Sequence, residues 1–239
     1  MRLDNNLLVL LKRATAVAKQ MGISELSMED NNIGTMFRGM SDLGGTPVIL
    51  HHMLDEDLPF GGLAIKDTGS FIAKLNLATD KDENFKIFLN VDERKNHVKS
   101  IELKGTKFKM SFITGSADAV KAPKRLKDPS KYSFQMEPDD VKTLDKAIKA
   151  MAGTFVTFVS DGNEVSFEIR VGKSDVFSYK FCDEVLSMDG DDASFAFSYP
   201  VKTITTLIKN SESGIFQVSK KGIFNGIMQD TNVFIFPRV

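Results

Sequence analysis

The sequence predicts an α+β fold built as two similar halves, and three observations predict it. A pattern of helix, strands, helix, strands runs twice along the chain at an offset of about 133 residues. The segments between the helical stretches alternate apolar and polar residues as strands do. Between the halves, Ser116 to Ser130 holds two prolines and almost no apolar periodicity, which reads as a connecting linker. The expected domains are residues 1–117 and 132–239, joined by a linker over 118–131.

Each half opens on an amphipathic helix. From Asp4 to Met21, residues Leu7, Leu10, Leu11, Ala14, Val17, Ala18 and Met21 recur at three- and four-residue steps, a stripe wide enough to cover a sheet. Asp4 or Asn5 suits the N-cap and Gly22 the residue just past the C-cap. Lys12 and Lys19 share a polar face, with Arg13 about 100° around. From Pro138 to Met151 the buried stripe is Val141, Leu144, Ile148 and Met151. Pro138 suits the first helical position, and Asp139 and Asp140 suit the positive end of the helix dipole. Lys142, Lys146 and Lys149 line one polar face. Two shorter helices follow, Asp67 to Thr79 with Lys74 turned outward, and Pro200 to Asn210 with Lys202 and Lys209 on one side.

In the first half, strands are expected at Ile33–Met40, Pro47–Met53, Lys86–Val91, His97–Leu103 and Lys107–Thr114. In the second they are expected at Thr154–Ser160, Glu164–Val171, Asp175–Cys182, Ala193–Tyr199, Gly214–Ser219, Phe224–Gln229 and Val233–Phe236. Phe108, Met110 and Phe112 alternate with Lys107, Lys109 and Ser111, the pattern of a sheet with one wet face. Asp161-Gly162-Asn163 marks a hairpin turn.

Composition narrows the function. The chain has 239 residues, 42% of them hydrophobic and 26% charged, in the range of globular domains. No apolar run reaches the ~20 residues that span a bilayer. The opening residues lack the order of a signal peptide, and a single cysteine, Cys182, excludes an intrachain disulfide and suits a reducing cytoplasm. With 31 basic and 32 acidic residues the net charge is −1, so any nucleic-acid surface must come from segregated charge. His51 and His52 are adjacent and point to opposite faces of a strand, His97 is isolated, and no phosphate-loop, dinucleotide or serine-nucleophile motif occurs. Asp80-Lys81-Asp82-Glu83 and Asp189-Gly190-Asp191-Asp192 lack the spaced ligands of a calcium loop. No catalytic residue, cofactor or metal ligand is expected. The residues alone leave open a structural or assembly protein of a virion, and an enzyme whose carboxylates converge in space.

The duplicated halves, the linker, the β-rich end and the run Met136-Glu137-Pro138-Asp139-Asp140-Val141 at the opening of the second half resemble a DNA polymerase sliding clamp. The chain length and that run are most similar to the clamps of T-even-type tailed phages. The resemblance covers essentially the whole chain and implies two clamp-type domains (the DNA clamp fold), with helices packed on curved antiparallel sheets. It implies a ring of three two-domain subunits that encircles duplex DNA, tethers the replicative polymerase and is placed by an ATP-dependent clamp loader, in the host cytoplasm if phage-encoded. The channel would be lined by Lys12, Arg13, Lys19, Lys74, Lys142, Lys146, Lys149, Lys202 and Lys209. Subunits would join through Lys107–Thr114 and Asp175–Cys182, with Phe108, Met110, Phe112, Phe177, Tyr179 and Phe181 flanking a shared ladder. Polymerase and loader tails would dock near Leu126 and Pro129 of the linker and Phe234, Phe236 and Pro237 at the end.

Overall fold

Among the described residues four helices sit where the apolar stripes place them. They are α1 (Asn5–Gln20), α2 (Thr68–Lys81), α3 (Pro138–Met151) and α4 (Val201–Asn210). Their starts repeat at 133 residues, Asn5 to Pro138 and Thr68 to Val201. The computed structural model describes residues 5–31, 34–43, 46–54, 60–92, 94, 97–123, 126, 130–187 and 193–238. The chain divides into two units, Met1–Ser41 with Ile49–Lys124, and Asp42–Val48 with Arg125–Val239.

In the first unit α1 buries Leu11, Ala14, Val17 and Ala18, and Met21 just past its end is buried with them. Gly22, at φ 69°, ends it in a Schellman motif. Its N–H reaches the Lys19 carbonyl at 3.1 Å and the Ile23 N–H reaches the Ala18 carbonyl at 2.7 Å. The exit of α1 then anchors α2, because the Thr68 hydroxyl donates to the Ile23 carbonyl at 2.8 Å. The strands are β1 (Leu26–Asn31), β2 (Gly34–Leu43), β3 (Thr46–Leu54), β4 (Gly62–Ile65), β5 (Lys86–Asp92), β6 (His97–Lys104) and β7 (Lys109–Ile113). β1 lies between β2 and β4, and β6 between β5 and β7, all antiparallel. The end of β2 from Asp42 and the start of β3 to Val48 belong to the second unit.

Two strands of this unit escape the alternation rule. All four residues of β4 are buried, so both of its faces are covered and no polar register shows. The sequence of β1, Leu-Ser-Met-Glu-Asp-Asn, looks like a turn, yet Glu29 is buried there against Arg38 of β2 at 2.8 Å.

The second unit holds β8 (Ser130–Gln135), β9 (Phe155–Asp161), β10 (Val165–Val171), β11 (Asp175–Cys182), β12 (Leu186–Ser187), β13 (Ser194–Pro200), β14 (Ile215–Ser219), β15 (Phe224–Met228) and β16 (Thr231–Ile235). They form two sheets, in the orders β12-β8-β14-β15-β16 and β11-β10-β9-β13. Phe134, Phe158, Phe224 and Tyr199 form a network of rings at the centre, with centroids 5.2–6.1 Å apart. β8 and β12 are not among the expected strands. Pro200 closes β13 opposite Phe155 and caps α4 instead of lying inside it.

The stretch expected to be a plain linker is structured up to Pro123. Gly115 pairs with Ala64, and Val120 and Ala122 are buried against Ala64 with Met40. The guanidinium of Arg38 donates to the carbonyls of Val120 at 2.7 Å and Ala117 at 3.2 Å, and also to that of Ala122. His51 bonds the Pro123 carbonyl at 2.7 Å, and burial keeps its imidazole pKa below the ordinary value. Apolar periodicity missed this because a buried side chain holds the segment by its backbone carbonyls.

Candidate nucleic-acid interface

Each unit sets two helices side by side, and most of the predicted channel residues lie exposed on them. In the first unit Phe71, Leu75 and Ala78 of α2 turn inward beside the buried stripe of α1. Arg13 and Lys19 are exposed. Lys12 is half-buried, with Nζ 5.3 Å from the centre of the Phe85 ring. Lys74 is also half-buried: its Nζ lies 5.0 Å over the Phe112 ring and donates to the Ser111 carbonyl at 3.2 Å. These stems pack as amphipathic side chains do, apolar along the surface and charged at the tip. Lys12 and Asp80 flank a groove of about 500 Å³ between α1 and α2, floored by Ala16, Ile72 and Leu75.

In the second unit three of the five cations have carboxylate partners. Lys142 meets Asp139 at 2.8 Å, one turn away on α3. Asp145 accepts from Lys149 at 2.6 Å on its own helix and from Lys209 of α4. Hydrogen bonding to Lys142 lowers the pKa of Asp139, and hydrogen bonds from Lys149 and then Lys209 lower that of Asp145. Lys146 and Lys202 are exposed. The side chains of Lys142, Lys149 and Lys209 stay largely solvent-facing. Exposed ion pairs are worth little, so phosphate can replace carboxylate at modest cost.

The two strands expected at the subunit contact are both sheet edges among the described residues, β7 beyond β6 and β11 beyond β10. On β7, Phe112 is buried and meets Phe71 of α2 edge-on at 5.1 Å. Met110 is half-buried, and Phe108 precedes the strand and leans on Phe85 at 6.5 Å. On β11, Phe177, Tyr179 and Phe181 are half-buried and gather around Phe167 with centroids 5.4–6.1 Å away. All six side chains therefore serve the inner face of their own unit, and all but Phe112 retain part of their surface.

Of the docking candidates, Leu126 is half-buried and Pro129 lies outside the described residues. Alternation on β16 sends Thr231, Val233 and Ile235 into the core and leaves Phe234 half-buried on the opposite face, in register with Asn225. Phe236 and Pro237 are half-buried, and the Phe236 N–H donates to the Pro47 carbonyl at 3.0 Å.

Two groups carry structure that the sequence reading passed over. Asp140 is buried at the start of α3. One carboxylate oxygen accepts the Glu137 N–H at 2.9 Å and the other accepts the Tyr179 hydroxyl at 3.1 Å, locking α3 to β11. That contact raises the phenol pKa. Its signal was an acid three residues into a helix whose first residue is proline. The other group is the Arg38–Glu29 pair, whose partners lie too far apart in sequence for any local signal.

Solved structures share this architecture over nearly the whole chain. The PCNA of A. fulgidus, solved with the C-terminal region of FEN-1, superposes with a TM-score of 0.62 at 15% identity, over 96% of this chain and 95% of that one. The proliferating cellular nuclear antigen of Entamoeba histolytica gives 0.61 at 14% identity, over 96% of each chain. The pol III beta of Caulobacter crescentus gives 0.67 at 11% identity, covering all of this chain but 66% of that one. No family model and no curated protein matches the sequence. The chain has the DNA clamp fold.

Proposed function

We propose that this protein is a DNA sliding clamp, a non-enzymatic processivity factor that encircles duplex DNA as a homotrimeric ring and tethers a replicative polymerase. The observation that carries the reading is the clamp fold over nearly the full chain, combined with two helix pairs whose exposed faces hold most of the basic residues proposed to face DNA. Such a ring turns binding into topology: it cannot leave a closed duplex without opening. Its Lys and Arg side chains make only phosphate contacts, which carry no sequence information and weaken with salt. That looseness permits sliding. A polymerase held by the ring stays near the primer end at raised effective concentration.

Two units per chain favour three subunits for a ring of six units, and the match to 95–96% of the PCNA chains supports that count. An ATP-dependent loader would open the ring, and the phage-type resemblance of the 136–141 run makes viral DNA replication in a host cytoplasm the proposed setting. Polymerase and loader tails would dock at Leu126, Phe234, Phe236 and Pro237. Light scattering on the purified protein tests the assembly. A mass near three subunits of 26.5 kDa each is expected, and a monomer at every concentration would contradict the ring.

A further inference from the structure

One face of the sheet β5-β6-β7 is turned away from the core of the first unit. The other face is buried, with Ile87 and Leu89 of β5 and Ile101 and Leu103 of β6 covered and Phe112 of β7 against α2. On the wet face the registers set side chains in rows across the three strands. Lys86 stands opposite Lys104, and Lys104 opposite Lys109. The next row is Phe88, Glu102 and Ser111. All six are exposed or half-buried. Like charges set directly opposite destabilise a sheet, and in this row Glu102 relieves only Lys109, at 3.0 Å. Among the described residues no carboxylate holds Lys86 or Lys104, and no ring stacks on Phe88. Lys86, Phe88 and Lys104 line a recess of about 400 Å³ that Gly105, Thr106 and Asp82 close. Asp82 is spent on the turn: its carboxylate accepts the Thr106 N–H and hydroxyl, both at 2.9 Å, and the Asn84 N–H at 3.0 Å.

We propose that this face binds single-stranded DNA, with phosphates along the row Lys86, Lys104 and Lys109 and an unstacked base on the Phe88 ring in the recess. The inference goes beyond the ring reading and does not depend on it, because every residue it uses lies in the first unit. The row spans two strand spacings, about 10 Å, which is too wide for one phosphate and suits a chain of them. Lysine stems are flexible enough to follow such a backbone. A sheet that sets a bare aromatic ring beside a basic track is a platform for unpaired bases. A duplex keeps its bases stacked and offers none to Phe88, and an acidic peptide would meet the lysines while leaving the ring unused. The strand's charge would also relieve the repulsion within the row. Unpaired strand and enclosed duplex would then use different faces of the unit, the strand on the sheet face turned away from α2.

Fluorescence anisotropy with a labelled oligothymidylate of about eight nucleotides tests this at low salt. The wild type is expected to bind it, and Lys86→Ala with Lys104→Ala to weaken binding about tenfold. The salt slope should fall by about 0.7 for each phosphate that the double variant no longer neutralises. Phe88→Leu keeps apolar bulk but no ring, and should weaken binding about tenfold with the slope unchanged, whereas Phe88→Tyr should restore it. Retention of the double variant on a nicked circular duplex should equal that of the wild type. No binding by the wild type, or equal binding by the wild type and the double variant, would overturn the proposal. A polyglutamate peptide that binds as tightly as the oligonucleotide and is indifferent to Phe88→Leu would also overturn it, in favour of an acidic protein segment. A monomeric wild type that still binds the oligonucleotide through these residues would remove the ring and leave the strip standing.

Discussion

The two helix layers are built on one plan but neutralise their cations differently. α1 carries three cations and no carboxylate, whereas α3 carries three of each. In the first unit Lys12 and Lys74 rest over Phe85 and Phe112, and a ring face leaves the positive charge intact. In the second unit Lys142, Lys149 and Lys209 rest on Asp139 and Asp145, which cancel charge until phosphate displaces them. The covered sides of the sheets differ as well. The stretch 115–123 lies on the first unit's sheet and buries Ala64, Glu29 and Arg38. The second unit leaves Leu186, Ile215 and Ile227 exposed on its strands. One duplicated architecture therefore presents a stronger field on the helices of the first unit and three bare aliphatic side chains on this sheet of the second.

The largest effect is expected at the covered face of the first unit. Arg38→Met would leave the Glu29 carboxylate buried without its guanidinium and three carbonyls without their donor. Stripping one partner from a buried pair costs about 3–5 kcal/mol. Urea unfolding reads that loss, and amide exchange should rise across 115–123. Protection there equal to wild type would show that packing of Val120 and Ala122 alone holds the segment.

Next comes the contrast in field. Replacing Lys12, Arg13 and Lys19 by alanine should weaken DNA association more than replacing Lys142, Lys146 and Lys149, because α1 carries no carboxylate of its own whereas α3 carries three. The salt slope should fall by about 0.9 for each phosphate that the variant no longer neutralises. Equal losses of affinity for the two triple variants would erase the distinction between the layers. Lys74→Ala should move the slope least, since its ammonium already serves Ser111 on β7.

Leu126→Ala sharpens the docking side of the contrast. It should reduce polymerase stimulation while leaving the oligomer mass and the salt slope unchanged. Full stimulation by a folded variant would move the docking site to the exposed apolar strands of the second unit.

The smallest effect belongs to Asp145. Asp145→Asn frees Lys149 and Lys209 and should modestly tighten DNA association at low salt. The carboxyl pKa is held below the ordinary value of 3.8 in the folded state, so the α3–α4 link is complete at neutral pH. It is lost only as pH falls through that lowered value, and acid titration of the Asp145 carboxyl by NMR should show it. A midpoint at or above the ordinary value would mean that the two lysines do not hold it in solution.

Much of this molecule was legible in order. The stripes of Leu11, Ala14, Val17 and Ala18, and of Leu144, Ile204 and Leu207, located the helices because a helix burying one face must repeat near 3.6 residues. β11 was read at its true bounds since Phe177, Tyr179 and Phe181 alternate on an edge strand with one wet face. β1 and β4 were not legible. The first buries a charge whose partner lies on another strand, and the second is buried on both faces, so neither shows a period of two. At the candidate interface the sequence located the lysines but not their partners. Ring and carboxylate contacts such as Lys74 with Phe112, or Lys209 with Asp145, join residues 38 and 64 positions apart and leave no local trace.

The central claim is that the protein holds DNA by enclosing it, and topology tests this most directly. The protein is loaded on a nicked circular duplex, washed at high salt to remove phosphate-bound molecules, and the circle is then cut once with a restriction enzyme. Enclosure predicts retention on the intact circle and rapid release from the linear product as rings slide off its ends. Loss at high salt before cutting, or equal retention on circle and linear duplex, would contradict it.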